Sequence, residues 1–156
     1  MSVIGDVAGL AGKGALMGLD PGTKTIGVAV SDGLQMTATA LETIKRRKFA
    51  QDAERLAEIA RGRGIVGLIV GLPLNMDGSE GPRAQSARAF ARNVAERLKL
   101  PTAFWDERLS TAAAERPLLE ADTSRKRRAE VIDALAAQHI LQGALDRIAV
   151  VQRTGA

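Results

Sequence analysis

The chain has 156 residues, 46% of them hydrophobic, which suits one folded domain and argues against wholesale disorder. With no cysteine and one histidine, His139, it offers no disulfide, thiolate zinc site or cysteine nucleophile, and no imidazole cluster. Lys and Arg number 22 against 18 Asp and Glu, a net charge of +4 that mildly favours an anionic partner and leaves any chemistry to carboxylates and cations.

Residues 1–14 read as a flexible N-terminal extension, apolar but interrupted by Asp6 and Lys13. They lack the basic start of a signal peptide, and no later run is apolar enough to span a membrane, so a cytoplasmic location with no membrane partner is expected. Residues 15–150 read as a single domain. Ala15–Leu19 predicts a buried strand ending at Asp20, where Pro21-Gly22-Thr23 reverses the chain. Ile26–Val30 returns as a second strand, and the β-branched residues of Thr37–Ile44 predict a third. Phe49, Ala53, Leu56, Ala57 and Ala60 form a helical stripe that Gly62 and Gly64 stop. Ile65–Gly71 is continuously apolar, as in a parallel strand covered on both faces.

The LPLNMDGSEGP stretch is a loop, after which Pro82 opens a helix with Ala87, Phe90, Ala91, Val94 and Leu98 inward. Thr102–Asp106 is a short strand. Ser110 can cap a helix over 111–119 that Pro117 kinks, and a long last helix follows the basic segment 122–128 and runs to about Ile148. The order predicts a three-layer α/β domain with a mixed five-stranded sheet flanked by helices. Ligands of open sheets gather at the carboxyl ends of the parallel strands, where Asp20, the LPLNMDG loop and Asp106-Glu107 fall.

A carboxylate at the edge of a buried sheet stays charged only beside a cation. Strand alternation lets only one of Asp106 and Glu107 face Asp20, the other turning toward Arg108 or solvent. An ordinary reading of that pair is an acidic lead into the next helix. Asp133 lies on the apolar stripe of the last helix with Ala137, Ile140, Leu141, Ala144 and Ile148, beside small alanines that allow close approach to the sheet. Its ordinary alternative is pairing with an arginine one or two turns earlier. Converging oxygen ligands suit Mg2+ or Mn2+, and two such ions about 3.5–4 Å apart can activate water and stabilise a leaving oxygen.

The run Arg125-Lys126-Arg127-Arg128 stays solvated unless an anion is present; with Lys24, Arg83 and Arg88 it reads as a phosphate clamp. Three phenylalanines, one tryptophan and no tyrosine make a base-stacking platform a poor expectation. Trp105 and His139 read as structural residues.

MGLDPGTKTIGVAVSD, IVGLPLNMDGSE, FWDERLST and SRKRRAEVIDALAAQHILQ, in that order, resemble the YqgF family, also called RuvX or Holliday junction resolvase-like proteins. The resemblance covers nearly everything from Leu16 to Leu145. It implies a ribonuclease H-like fold and a nuclease processing the 5′ end of pre-16S ribosomal RNA during ribosome biogenesis. The family's acid positions fall on Asp20, on the Asp106-Glu107 pair, usually Glu107, and on Asp133. It thereby implies that Asp20, Glu107 and Asp133 are catalytic metal ligands, and that Lys24, Arg83, Arg108 and Arg125–Arg128 bind nucleic acid. Thr25 and Pro117 depart from the family pattern, which often has arginine at the former position and an uninterrupted helix at the latter. The expected partner is structured RNA, the pre-rRNA, or branched DNA, bound by a monomer or homodimer; resolution of a four-way junction favours the dimer. Two other readings stand beside it: a phosphotransferase using the Asp-x-Gly-Thr turn, for which one domain is too few, and a non-catalytic RNA-binding assembly factor.

Overall fold

Apolar side chains alternate along the central strands with period two, and each set is buried by a different helical layer. The structure is a computed structural model that describes residues 3–4, 6–109 and 125–154, with side chains placed for 6–109 and 132–154. Its strands are β1 (Val3–Ile4), β2 (Leu16–Pro21), β3 (Thr25–Ser31), β4 (Ala38–Lys45), β5 (Gly67–Leu72) and β6 (Thr102–Asp106); its α-helices are α1 (Phe49–Arg63), α2 (Pro82–Leu98) and α3 (Arg125–Thr154). They form one mixed sheet in the order β1-β6-β5-β2-β3-β4. The β2-β3 and β3-β4 pairs are antiparallel, and β2-β5, β5-β6 and β1-β6 are parallel. The five expected strands are present, with the two-residue β1 added at the edge beside β6.

Met17 and Leu19 of β2, Ile26 and Val28 of β3 and Leu68 and Val70 of β5 face one way, packing with Leu56, Ile59, Phe90 and Val94 of α1 and α2. Leu16, Ala29, Ile69 and Ala103 face the other way, against Ala137, Ile140, Leu141, Ala144 and Ile148 of α3. The stripe read from the last helix is therefore the face that meets the sheet. α1 ends at Gly64 in the left-handed conformation (φ 63°), as its glycine signal implies, and Pro82 is the first residue of α2.

The leader departs from expectation. Rather than forming a loose extension, Val7 and Leu10, in a short 3-10 turn (Val7–Leu10), are buried in the α3-side core. The buried Gln35 amide donates to the carbonyls of Leu10 and Gly14, both at 2.8 Å, and its oxygen accepts from the Gly12 N–H at 2.9 Å. Two apolar side chains and a satisfied backbone suffice to hold so short a segment. The last helix is longer than read, running to Thr154 instead of about Ile148. The helix expected over 111–119, with its Ser110 cap and Pro117 kink, lies outside the described residues. Among the described residues no helix is long and apolar enough to cross a membrane.

Candidate active site

Register explains how two distant acids meet. Asp20 follows Gly18 on the α3 face of β2 and pairs with Gly27 of β3. Leu19 pairs with Val70 of β5, and Gly71 with Trp105 of β6, so Asp20, Gly71 and Trp105 lie at one level where the parallel strands end. Continuing the alternation of Ala103 and Trp105, Glu107 leaves the strand on the α3 face. It then folds back over Gly71: a Cβ on that glycine would stand 2.9 Å from the Glu107 Oε1 and 3.2 Å from its Cγ. The bare backbone at Gly71 opens the path by which the Glu107 carboxyl reaches Asp20, and the two carboxyls share a hydrogen bond.

Asp133 arrives from the opposite layer. The α3 backbone at Asp133 lies directly on Gly27, where a Cβ would collide with the Asp133 carbonyl oxygen. Gly27 is the strand partner of Asp20, so this contact sets Asp133 beside the acid pair. Thr25 Oγ1 donates to Asp133 Oδ2 at 2.7 Å.

Burial raises the Asp20 pKa; the hydrogen bond from Glu107 opposes this, the Asp133 charge adds to it, and Arg83 opposes it. Glu107 is pushed up to about 8, first by burial, then by its hydrogen bond to Asp20 and that group's charge, with Arg83 opposing and Asp106 adding. At neutral pH the pair therefore retains a proton, as like charges forced together do. An oxygen-only donor set of converging carboxyls fits a hard divalent ion. Among the described residues no three acids are close enough to ligate one ion as they stand, so the fit rests on Asp20 and Glu107, with Asp133 alongside.

Asp106 is not brought to this point. It continues the face of Phe104, away from α3, and accepts from the Arg108 backbone N–H at 2.9 Å and from its guanidinium at 2.7–3.1 Å. Of the Asp106-Glu107 pair, Glu107 is therefore the one that lies toward Asp20. Arg108 also donates to the Met76 carbonyl at 3.2 Å, tying the turn after β6 to the loop after β5. Arg83 stands near enough to Asp20 and Glu107 to act on both. Lys24 is exposed at the tip of the first turn. Arg88, read as a phosphate ligand, is instead paired with Glu80 at 2.7 Å and stacked over the Phe104 ring at 4.8 Å. Trp105 and His139 each have a buried ring nitrogen without a hydrogen-bond partner in the structure. The side chains of Arg125, Lys126, Arg127 and Arg128 lie outside the described residues.

Sequence reasoning passed over four residues around the site: Gly27, Gly71, Arg46 and Arg47. Gly27 and Gly71 matter because nothing projects from them, which a search for reactive groups passes over. Arg46 and Arg47 sit in Lys45–Lys48, a run of four cations as dense as 125–128, so the signal was available. They border a cleft of about 570 Å3 beside the first turn.

The RuvX family, described as Holliday junction resolvase, matches residues 14–147. A protein of Cereibacter sphaeroides (strain ATCC 17025) named "Putative pre-16S rRNA nuclease" is 68% identical over 142 residues, covering 91% of this chain and 89% of its own length. One of the same name from Paracoccus denitrificans (strain Pd 1222) is 67% identical over 141 residues, covering 90% and 89%. Among solved structures, T. thermophilus RuvC in complex with Holliday junction substrate superposes with a TM-score of 0.54 at 16% identity, covering 86% of this chain and 96% of that one. That likeness supports the ribonuclease H-like architecture that the family resemblance implies. With the family match spanning most of the domain, the chain belongs to the RuvX family.

Proposed function

We propose that the chain is a metal-dependent nuclease hydrolysing phosphodiester bonds of structured RNA, acting in the cytoplasm on the 5′ end of pre-16S rRNA. The carrying observation is geometric: Glu107 folds over Gly71 toward the half-buried Asp20, and the Gly27 contact sets Asp133 beside them. The named activity of relatives at 67–68% identity supports the substrate. Asp20, Glu107 and Asp133 would hold Mg2+ or Mn2+, in two positions if the site fills completely. Such ions, when bound, make water a nucleophile at neutral pH and neutralise charge on the leaving oxygen.

The chain's own residues do the rest. The acids are half-buried between the sheet and α3, where each charge on them counts for more than in open water. Thr25 holds the orientation of Asp133. Arg83 offers a cation at the lip of the acid pair, and Lys24 a second at the tip of the turn, both suited to non-bridging phosphate oxygens. Arg125–Arg128 open α3 ahead of Asp133, and the family resemblance assigns them to the phosphate backbone.

Asp20→Asn and Asp133→Asn should each lower Mg2+- or Mn2+-stimulated cleavage by about 10^3-fold or more while RNA binding persists. Full activity in Asp133→Asn removes that residue from the site. The family's description and the RuvC-like fold favour one alternative, resolution of branched DNA by a homodimer. Cleavage of a four-way DNA junction but not of precursor rRNA, at matched salt, would establish it. Binding without metal-stimulated cleavage of either would favour a non-catalytic assembly factor.

A further inference from the structure

The cleft beside the first turn is lined by Gly22 and Thr23, by Arg46 and Arg47 just beyond β4, and by Arg83 and Ser86 of α2. No acidic side chain among the described residues lines it. Arg46, Arg47 and Arg83 are at ion-pair distance from no carboxylate among the described residues, and they are gathered around one cleft. Three adjacent cations left unpaired around a concavity repel one another until an anion enters.

The cleft is also built in advance. The Arg46 guanidinium donates to the Gly22 carbonyl and lies 5.2 Å above the Phe90 ring, while its backbone N–H donates to the Lys24 carbonyl at 2.9 Å. The buried Asp52 carboxylate of α1 accepts from the Arg47 backbone N–H at 3.1 Å and 3.3 Å, fixing the chain direction there while the Arg47 side chain stays exposed. Arg83 belongs to two places at once: it lines the cleft and acts electrostatically on Asp20 and Glu107. The cleft therefore adjoins the acid pair, through Pro21 next to Asp20 and through Arg83.

We propose that the nucleic-acid strand being cut runs from the acids through this cleft, and that Arg46 and Arg47 hold a phosphodiester flanking the scissile one. This rests on the nuclease reading of the acid site and adds to it the path of the substrate. A flanking phosphate held on the β4–α2 side sets the strand's position relative to Asp20 and Glu107 without reading its bases.

Arg47 is the residue to test, because its side chain is exposed while Arg46 also supports the turn. In the Asp20→Asn background, binding of a labelled single-stranded RNA and of a four-way DNA junction is measured across a KCl series. Adding Arg47→Gln should weaken binding about 3–10-fold and reduce the slope of log K against log salt by about 0.7 for the single strand. Arg61→Gln, in the last turn of α1, serves as the charge control and should change neither. Unchanged affinity and slope in Arg47→Gln, an equal loss in Arg61→Gln, or no binding by the parent would each overturn the proposal. A thermal melt confirms that Arg47→Gln is folded, and Arg46→Lys, which keeps the charge, should retain most of the affinity. With Asp20 intact, Arg47→Gln should raise KM more than it lowers kcat. If the wild-type chain cleaves nothing, the nuclease reading fails, while the binding series still decides whether the cleft holds the strand.

Discussion

Glu107 carries the sharpest consequence of the site at the scale of one residue. Its folded pKa, about 8, lies above the ordinary carboxyl value of 4.5, so the folded chain binds this proton more tightly than the unfolded chain. Stability of the metal-free protein should therefore be greatest below about pH 4.5 as far as this group is concerned, and should decline as pH rises through 8. Denaturant titrations across that range check the slope, and Mg2+ should flatten it by taking the proton's place. Glu107→Gln should abolish the decline and raise the melting temperature of the metal-free protein at pH 8, each 1 kcal/mol appearing as about 2–4 °C for a chain of this size. It should also abolish cleavage. Thr25 is the companion case. Thr25→Val removes the hydroxyl that holds Asp133 and should lower kcat about 10-fold with KM little changed, while Thr25→Ser restores it. The inward place of Asp133 was legible in its stripe. The choice between Asp106 and Glu107 was not, because a sequence gives the alternation of a strand without its phase against a neighbour.

Elements meet here where side chains are missing. Gly27 lets α3 lie against β3, and Gly71 lets Glu107 cross β5. Gly27→Ala should destabilise the fold by about 1–3 kcal/mol and displace α3 from Asp20, so that cleavage falls more steeply than stability. Chemical denaturation and initial-rate measurements on the same preparation separate the two effects. Strand and helix types were legible throughout the described core, from apolar runs and β-branched residues in the strands and from a period of 3.6 in the helices. The anchoring of the leader was not. Its short 3-10 turn has too few residues for a period, and its backbone is satisfied by Gln35, a side chain more than twenty residues away.

The whole molecule is a sheet with two cores, and α3 closes one of them while carrying a site acid. Leu141 is fully buried there, and Leu141→Ala should cost about 2–5 kcal/mol. Because Asp133 rides on the same helix, loss of activity on heating should track loss of α3 packing, without an inactive but fully folded intermediate. Parallel melts followed by circular dichroism and by residual cleavage would check this. Trp105, the chain's single tryptophan, stands two residues before Glu107 with its ring against Gly143 of α3. The protein thus carries its own optical gauge at the seam between helix and sheet. Changes in indole emission on adding divalent ions or oligonucleotide would time the seating of α3 in solution, with no label attached.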